Sequence, residues 1–184
     1  MIGYTLPTSL EVGGVEFSIR TDFRAVLDVL IAMNDIELSD TEKNYVLLEI
    51  IYEDFTQIPN KHLEEACKKA IEFIDCGQKN EKIQPKTIDW EQDAGIIIPA
   101  INSVAHQEVR ALPYLHWWTF FSYFMEIKDG LLSSVIGVRQ KLSKRKKLEE
   151  WEREFYKENK HLVDFAKKET EAERQEKNDI LKWL

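Results

Sequence analysis

Cysteine, histidine pairs, glycine-rich loops and long apolar runs are all missing or sparse in this sequence, and each absence removes a class of function. Only Cys67 and Cys76 are present. They stand nine residues apart on what reads as one helix, a rise of about 13 Å that no disulfide spans. That usage fits a reducing compartment. The four histidines form neither an HxxxH nor an HExxH pair, so no zinc motif is present. No glycine-rich phosphate loop occurs, and the one Gly-Gly pair sits where a turn is needed. The most apolar stretch, residues 114–127, contains His116 and Glu126 and is too short to cross a bilayer. The opening Met1-Ile2-Gly3-Tyr4 carries no basic and apolar leader.

An excess of positive charge is also lacking. Against 25 Lys and Arg stand 33 Asp and Glu, a net charge of -8 in 184 residues, which argues against a nucleic-acid binder that uses the whole molecule. The imbalance is uneven. Residues 1–138 carry 22 acids and 11 bases, whereas residues 139–184 carry 11 acids and 14 bases. The last quarter is electrostatically distinct.

The residues that are present describe a mainly α protein with a short N-terminal β-hairpin and a long C-terminal helix. Residues 9–19 alternate around Gly13-Gly14, the pattern of a two-residue hairpin whose central positions both need positive φ. Thr21 or Asp22 then caps a helix with the stripe Phe23, Val26, Leu27, Leu30 and Ile31. Ser39 and Glu42 form a capping box ahead of Tyr45, Leu48, Ile51, Tyr52 and Phe55. A third helix runs from near Pro59 to Gly77, with Leu63, Ala66, Cys67, Ala70, Ile71 and Ile74 as its stripe. Polar residues 78–87 make a candidate linker.

Asp89 is the expected cap of a fourth helix, with Glu91 and Asp93 in its first turns and the stripe Trp90, Ala94, Ile97, Ile98, Ile101 and Val104. Pro99 falls inside it, above Gly95, and predicts a kink. Residues 114–128 read as a central helix packed on nearly every face, and Leu131 to Val138 as a shorter one. The rest reads as one long helix, with Leu148, Trp151, Phe155, Leu162 and Phe165 as a seam for a partner helix. Beyond Phe165 lies either a solvated helix or a frayed tail, tipped by Ile180, Leu181 and Trp183. This divides the chain into a hairpin segment (1–20), a helical core (21–143) and a charged C-terminal helix or tail (144–184).

Three constellations invite chemistry. Asp89, Glu91 and Asp93 suggest an acidic site, but residues at i, i+2 and i+4 do not share a helix face, and helix-start chemistry explains them better. His116 lies among aromatics, where a hydrogen-bonded core or interface residue is expected rather than a base. The basic run Arg139, Lys141, Lys144, Arg145, Lys146 and Lys147 could meet phosphates. It lacks aromatic platforms and meets Glu149, Glu150, Glu152 and Glu154 at once, so a solvated helix face is the better reading. His62 lies off the face of Cys67, so no nucleophile and base pair either. The expectation is a non-enzymatic chain without cofactor or metal.

Five segments taken in order carry a family resemblance: Ile19-Arg20-Thr21-Asp22-Phe23-Arg24; Leu38-Ser39-Asp40-Thr41-Glu42-Lys43; Ala70-Ile71-Glu72-Phe73-Ile74-Asp75-Cys76-Gly77; Asp89-Trp90-Glu91-Gln92-Asp93-Ala94; and Leu115-His116-Trp117-Trp118-Thr119-Phe120. Over about residues 9–165 the chain resembles the bacteriophage gene product 15 family. The resemblance implies a tail assembly protein of long-tailed phages or prophages of Gram-positive bacteria. Its implied role is that of a chaperone in the host cytoplasm, holding the helical tape-measure protein soluble before the tail polymerises. A structural tail or connector component of the virion is the second reading, and a DNA-packaging accessory the weakest. A chaperone for apolar helices needs exposed apolar grooves or a helix that can pair. The partner-binding candidates, for a client or a sister subunit, are therefore Leu148, Trp151, Phe155, Leu162, Phe165, Ile180, Leu181 and Trp183.

Overall fold

The computed structural model describes residues 5–78 and 85–168, together with 170, 173 and 175. The hairpin forms as the alternation predicts. Strands β1 (Ser9–Val12) and β2 (Val15–Ser18) pair antiparallel, with Leu10 opposite Phe17 and Val12 opposite Val15. Gly13 and Gly14 take φ of 60° and 79°, the left-handed values that a tight hairpin turn demands. Gly13 is doubly constrained, because a Cβ there would come 2.7 Å from the His62 ring.

What anchors the hairpin is the segment that follows it. Arg20 donates from its backbone to Ile51 O, and its guanidinium reaches the carbonyls of Glu49, Ile50, Tyr52 and Glu53 at 2.6–3.2 Å. These carbonyls belong to the C-terminal end of α2 (Asp40–Ile51), which has no basic residue in its own last turn. One arginine therefore satisfies groups that helix geometry leaves unpaired. Asp22 caps α1 (Phe23–Met33) by accepting from Arg24 N at 3.0 Å, and its second oxygen accepts from Leu115 N. Phe23 N donates to Leu115 O and Trp117 N to Thr21 O. The loop before α1 is thus paired to the chain ninety residues later.

That pairing explains why α5 (Trp117–Met125) begins at Trp117 and not at Tyr114. Leu115 spends both its backbone groups on Asp22 and Phe23, the Tyr114 hydroxyl meets Thr21, and His116 takes the N-cap position. Helix α5 buries only Trp117 and Phe120 fully, and Met125 is exposed. Trp118, Phe121, Tyr123 and Phe124 pack partly buried against the core, so the helix expected to be packed on nearly every face leaves the side of Ser122 and Met125 open. The stripes of two other helices rotate. Helix α2 buries Leu47, Leu48 and Ile51 while Tyr45 lies on the surface against Phe55. Helix α3 (Leu63–Ile74) turns Ala66, Ala70 and Phe73 inward and leaves Ile71 half-exposed. Each of these helices packs on more than one neighbour, which shifts the buried face away from a single-stripe estimate.

Helix α4 (Ala94–Ala105) continues through Pro99, whose ring lies on the exposed side. Asp89 caps the turn that precedes it, accepting from Glu91 N and Gln92 N. Helix α6 (Leu131–Ser143) is longer than its apolar run and includes Arg139 and Lys141. One core gathers twenty buried residues from the hairpin and from all of α1 to α6, with Phe23 stacked on Phe120 at 4.4 Å. A second, smaller cluster holds Val135, Val138 and Val163.

Over the described residues up to Lys168, the continuous C-terminal helix is corrected to two short ones, α7 (Glu150–Glu158) and α8 (Lys160–Val163). Arg145 in the left-handed region ends α6's extension, and Asn159 at φ -115°, ψ 29° separates α7 from α8. At Asp164 the backbone becomes extended (ψ 136°), because the carbonyls that would continue the helix are engaged elsewhere.

Candidate functional site

Arg139 and Asp93 lie at the centre of the polar structure. Both are buried, 4% and 3% exposed, on α6 and just before α4. Arg139 Nη1 donates to Asp93 Oδ2 at 2.6 Å and Nη2 to Asp93 Oδ1 at 2.9 Å, a two-point fork. The remaining donors go to main-chain carbonyls: Thr87 at 3.0 Å, Leu162 at 2.6 Å and Val163 at 2.8 Å. Over the outer face of the guanidinium lies the Phe165 ring, 4.1 Å from centroid to carbon, with Lys86 Nζ 5.2 Å from the same ring. One side chain therefore joins three stretches: the approach to α4, the α6 helix and the end of α8.

The residues from Glu149 to Lys168 form a strap that this hub fastens. At its start, Glu149 and Glu152 make a capping box, and Lys141 Nζ binds Glu152 at 2.7 Å. The Lys141 bond, with the Glu149 amide, holds the Glu152 carboxyl below its ordinary value. In the middle, Tyr156 donates to Asp164 Oδ1, which raises the phenol's pKa. At its end, Gln92 clamps the backbone from both sides, donating to Asp164 O and accepting from Ala166 N, each at 2.9 Å. Lys168 reaches Glu91 at 3.5 Å.

The acidic trio resolves accordingly. Asp89 pairs with Lys86 at 2.8 Å, Asp93 with Arg139, and Glu91 with Lys168. Burial opposes ionisation of Asp89, but the Lys86 bond and the Gln92 amide outweigh it and leave the pKa lowered. The three carboxylates point to different partners, and among the described residues no group of three His, Cys, Asp or Glu could hold a metal ion. His116 caps α5: its Nδ1 accepts from Trp118 N, so the proton sits on Nε2 and faces Pro7 O, both at 3.0 Å. The neighbouring indoles donate to Ile74 O and Phe73 O, capping the C-terminal end of α3. What the motif supplies is helix capping at two places.

The solvated face expected of the basic run holds for residues 144–147, which are exposed, and fails for Arg139. Its position carried the signal, four residues after Val135 and seven after Leu132, on the buried stripe of α6. Of the partner-binding candidates, Leu148, Phe155 and Leu162 are half-buried and pack on the Val135, Val138 and Val163 cluster of their own chain. Trp151 is 57% exposed and Phe165 37%. Ile180, Leu181 and Trp183 lie outside the described residues. Elsewhere, an apolar cleft of about 250 Å³ opens between β1 and α3, floored by Leu10, Phe73 and Trp118.

A family model described as bacteriophage Gp15 protein matches residues 3–165. The chain belongs to that family. Membership makes it a phage structural or assembly-related protein. No curated protein and no solved structure matches it. The Gp15 match ends at Phe165, the residue that closes the Arg139 hub, so the strap up to that ring lies within the family region. Among the described residues of this Gp15 protein, no helix is long and apolar enough to cross a membrane.

Proposed function

We propose that this Gp15-family chain is a non-enzymatic tail assembly factor that keeps the tape-measure protein soluble in the host cytoplasm before the tail polymerises. The observation that carries the reading is Trp151. Its indole is 57% exposed on α7, at the edge of the face that Lys141 to Glu152 and half-buried Phe155 tie down. A large exposed aromatic on a docked helix is the kind of anchor that protein interfaces use, and a phage assembly protein has apolar clients to receive.

The test is co-expression with the tape-measure protein of the same phage. Soluble client that co-purifies with this chain is expected, with aggregation in its absence. Trp151→Ser should leave folding intact and reduce the captured client at least severalfold. Mass spectrometry of purified virions should lack the chain. Its presence there in fixed copy number would identify a structural tail component instead. Salt-dependent DNA affinity, which the packaging reading requires, is not expected from a basic run bordered by Glu149, Glu150 and Glu154.

A further inference from the structure

We infer that the strap is a built-in occupant of a receptor for the C-terminal end of an amphipathic helix, and that a helical segment of a partner protein binds there when the strap lifts. What the receptor recognises can be read from what sits in it. Arg139 presents donors to the last carbonyls of α8, those of Leu162 and Val163, the groups that every helix end leaves free. Val163 enters the small apolar cluster with Val135 and Val138, and an aromatic two residues later covers the guanidinium. Charge complements at both ends: Lys141 takes an acid near the start of the segment, and Glu91 takes a lysine near its finish. The fitting partner is a helical segment broken once as the strap is, with an acid in the first turn of its first helix, an apolar pair at the end of its second, an aromatic two residues on, and then basic residues.

The strap is seated so that it can leave. Its fully buried apolar contribution is Val163, with Phe155, Tyr156 and Leu162 partly buried beside it, in a small cluster separate from the twenty-residue core. Its other attachments are polar: one bond from Lys141, two each from Gln92 and Arg139, the Lys168 to Glu91 pair, and the Phe165 ring over the Arg139 guanidinium. Residues 143–147, which join it to α6, are exposed. Segments held this way open locally at lower free energy than the whole domain. When it lifts, Arg139 keeps its fork to Asp93 and its bond to Thr87 O, so the receptor stays formed. That the external occupant is the tape-measure client rests on the chaperone reading; the receptor itself does not.

Two measurements on the full chain test this. In native-state hydrogen exchange of the wild type, the amides of α7 and α8 should exchange at least tenfold faster than those of α1 to α5. A labelled peptide of residues 149–168 should bind the full-length Val163→Ser/Phe165→Ser chain at least tenfold more tightly than the wild type, whose receptor is filled. The same peptide carrying Val163→Ser and Phe165→Ser should not bind. Exchange of α7 and α8 only at the global rate, global unfolding of the doubly substituted chain, or a folded variant that ignores the peptide would each overturn the receptor. Dimers formed by exchange of straps would overturn the assignment of the occupant to a partner protein. Peptide binding without tape-measure binding supports the receptor and sinks the chaperone reading alone.

Discussion

At Arg139, every polar hydrogen-bonding need created by burial is met within the chain, by two carboxylate oxygens and three carbonyls. A buried pair of this kind contributes little net stability over an apolar replacement, yet removing one partner strands the other. Arg139→Met leaves the Asp93 carboxyl without its charge partner in a buried site and three carbonyls short of a donor. We expect a loss of about 3–5 kcal/mol in urea unfolding, with Asp93→Asn added to Arg139→Met costing less than the sum of the singles. A second residue-scale expectation concerns Cys76, two residues beyond α3. Burial, with Asp75 beside it, pushes the thiol up to about 12. The reactive thiolate is therefore scarce at pH 8, and labelling by a thiol reagent should be much slower than for an unfolded control.

Secondary-structure elements in this protein are defined by their ends as much as by their stripes. Ser39 and Glu42 cap α2 reciprocally, while the far end of the same helix is capped from outside by Arg20. The first was legible in the sequence because a capping box is local, as were the Gly13-Gly14 turn and the Asp22 cap. The second was not, since it joins residues thirty apart. The same distinction explains the strap. A 3-4 spacing through Leu148, Phe155 and Leu162 marked an apolar seam, but nothing local announced that Arg139, 23 residues before Leu162, would end the helix by taking its carbonyls. Likewise the five segments that carried the family resemblance are largely capping and clasping residues, and the hub that Gln92 and Asp93 serve is visible only in three dimensions. Ser39→Ala should cost about 1 kcal/mol. Gly13→Ala should cost more, because positive φ and the His62 ring both oppose a Cβ.

Across the whole molecule, pH separates the strap from the core. Glu152, bound to Lys141, and Asp89, bound to Lys86, both have carboxyls held below their ordinary values of 4.5 and 3.8. A group whose folded pKa is depressed stabilises the fold fully above its unfolded value and loses that contribution as pH falls through the folded value. Acid therefore removes the Lys141 to Glu152 bond at one end of the strap, and the Lys86 to Asp89 bond beneath the Phe165 ring at the other. The buried residues of the large core are apolar, and the depressed carboxyls outside the strap that serve the main body, Glu42, Asp54 and Glu108, are exposed. Lowering the pH from 7 to below 4 should thus decrease the urea midpoint. It should also spread the transition, so that a fluorophore attached to the strap reports release at lower urea than far-ultraviolet circular dichroism reports loss of helices. Coincident transitions at both pH values would mean that the strap and core unfold as one unit.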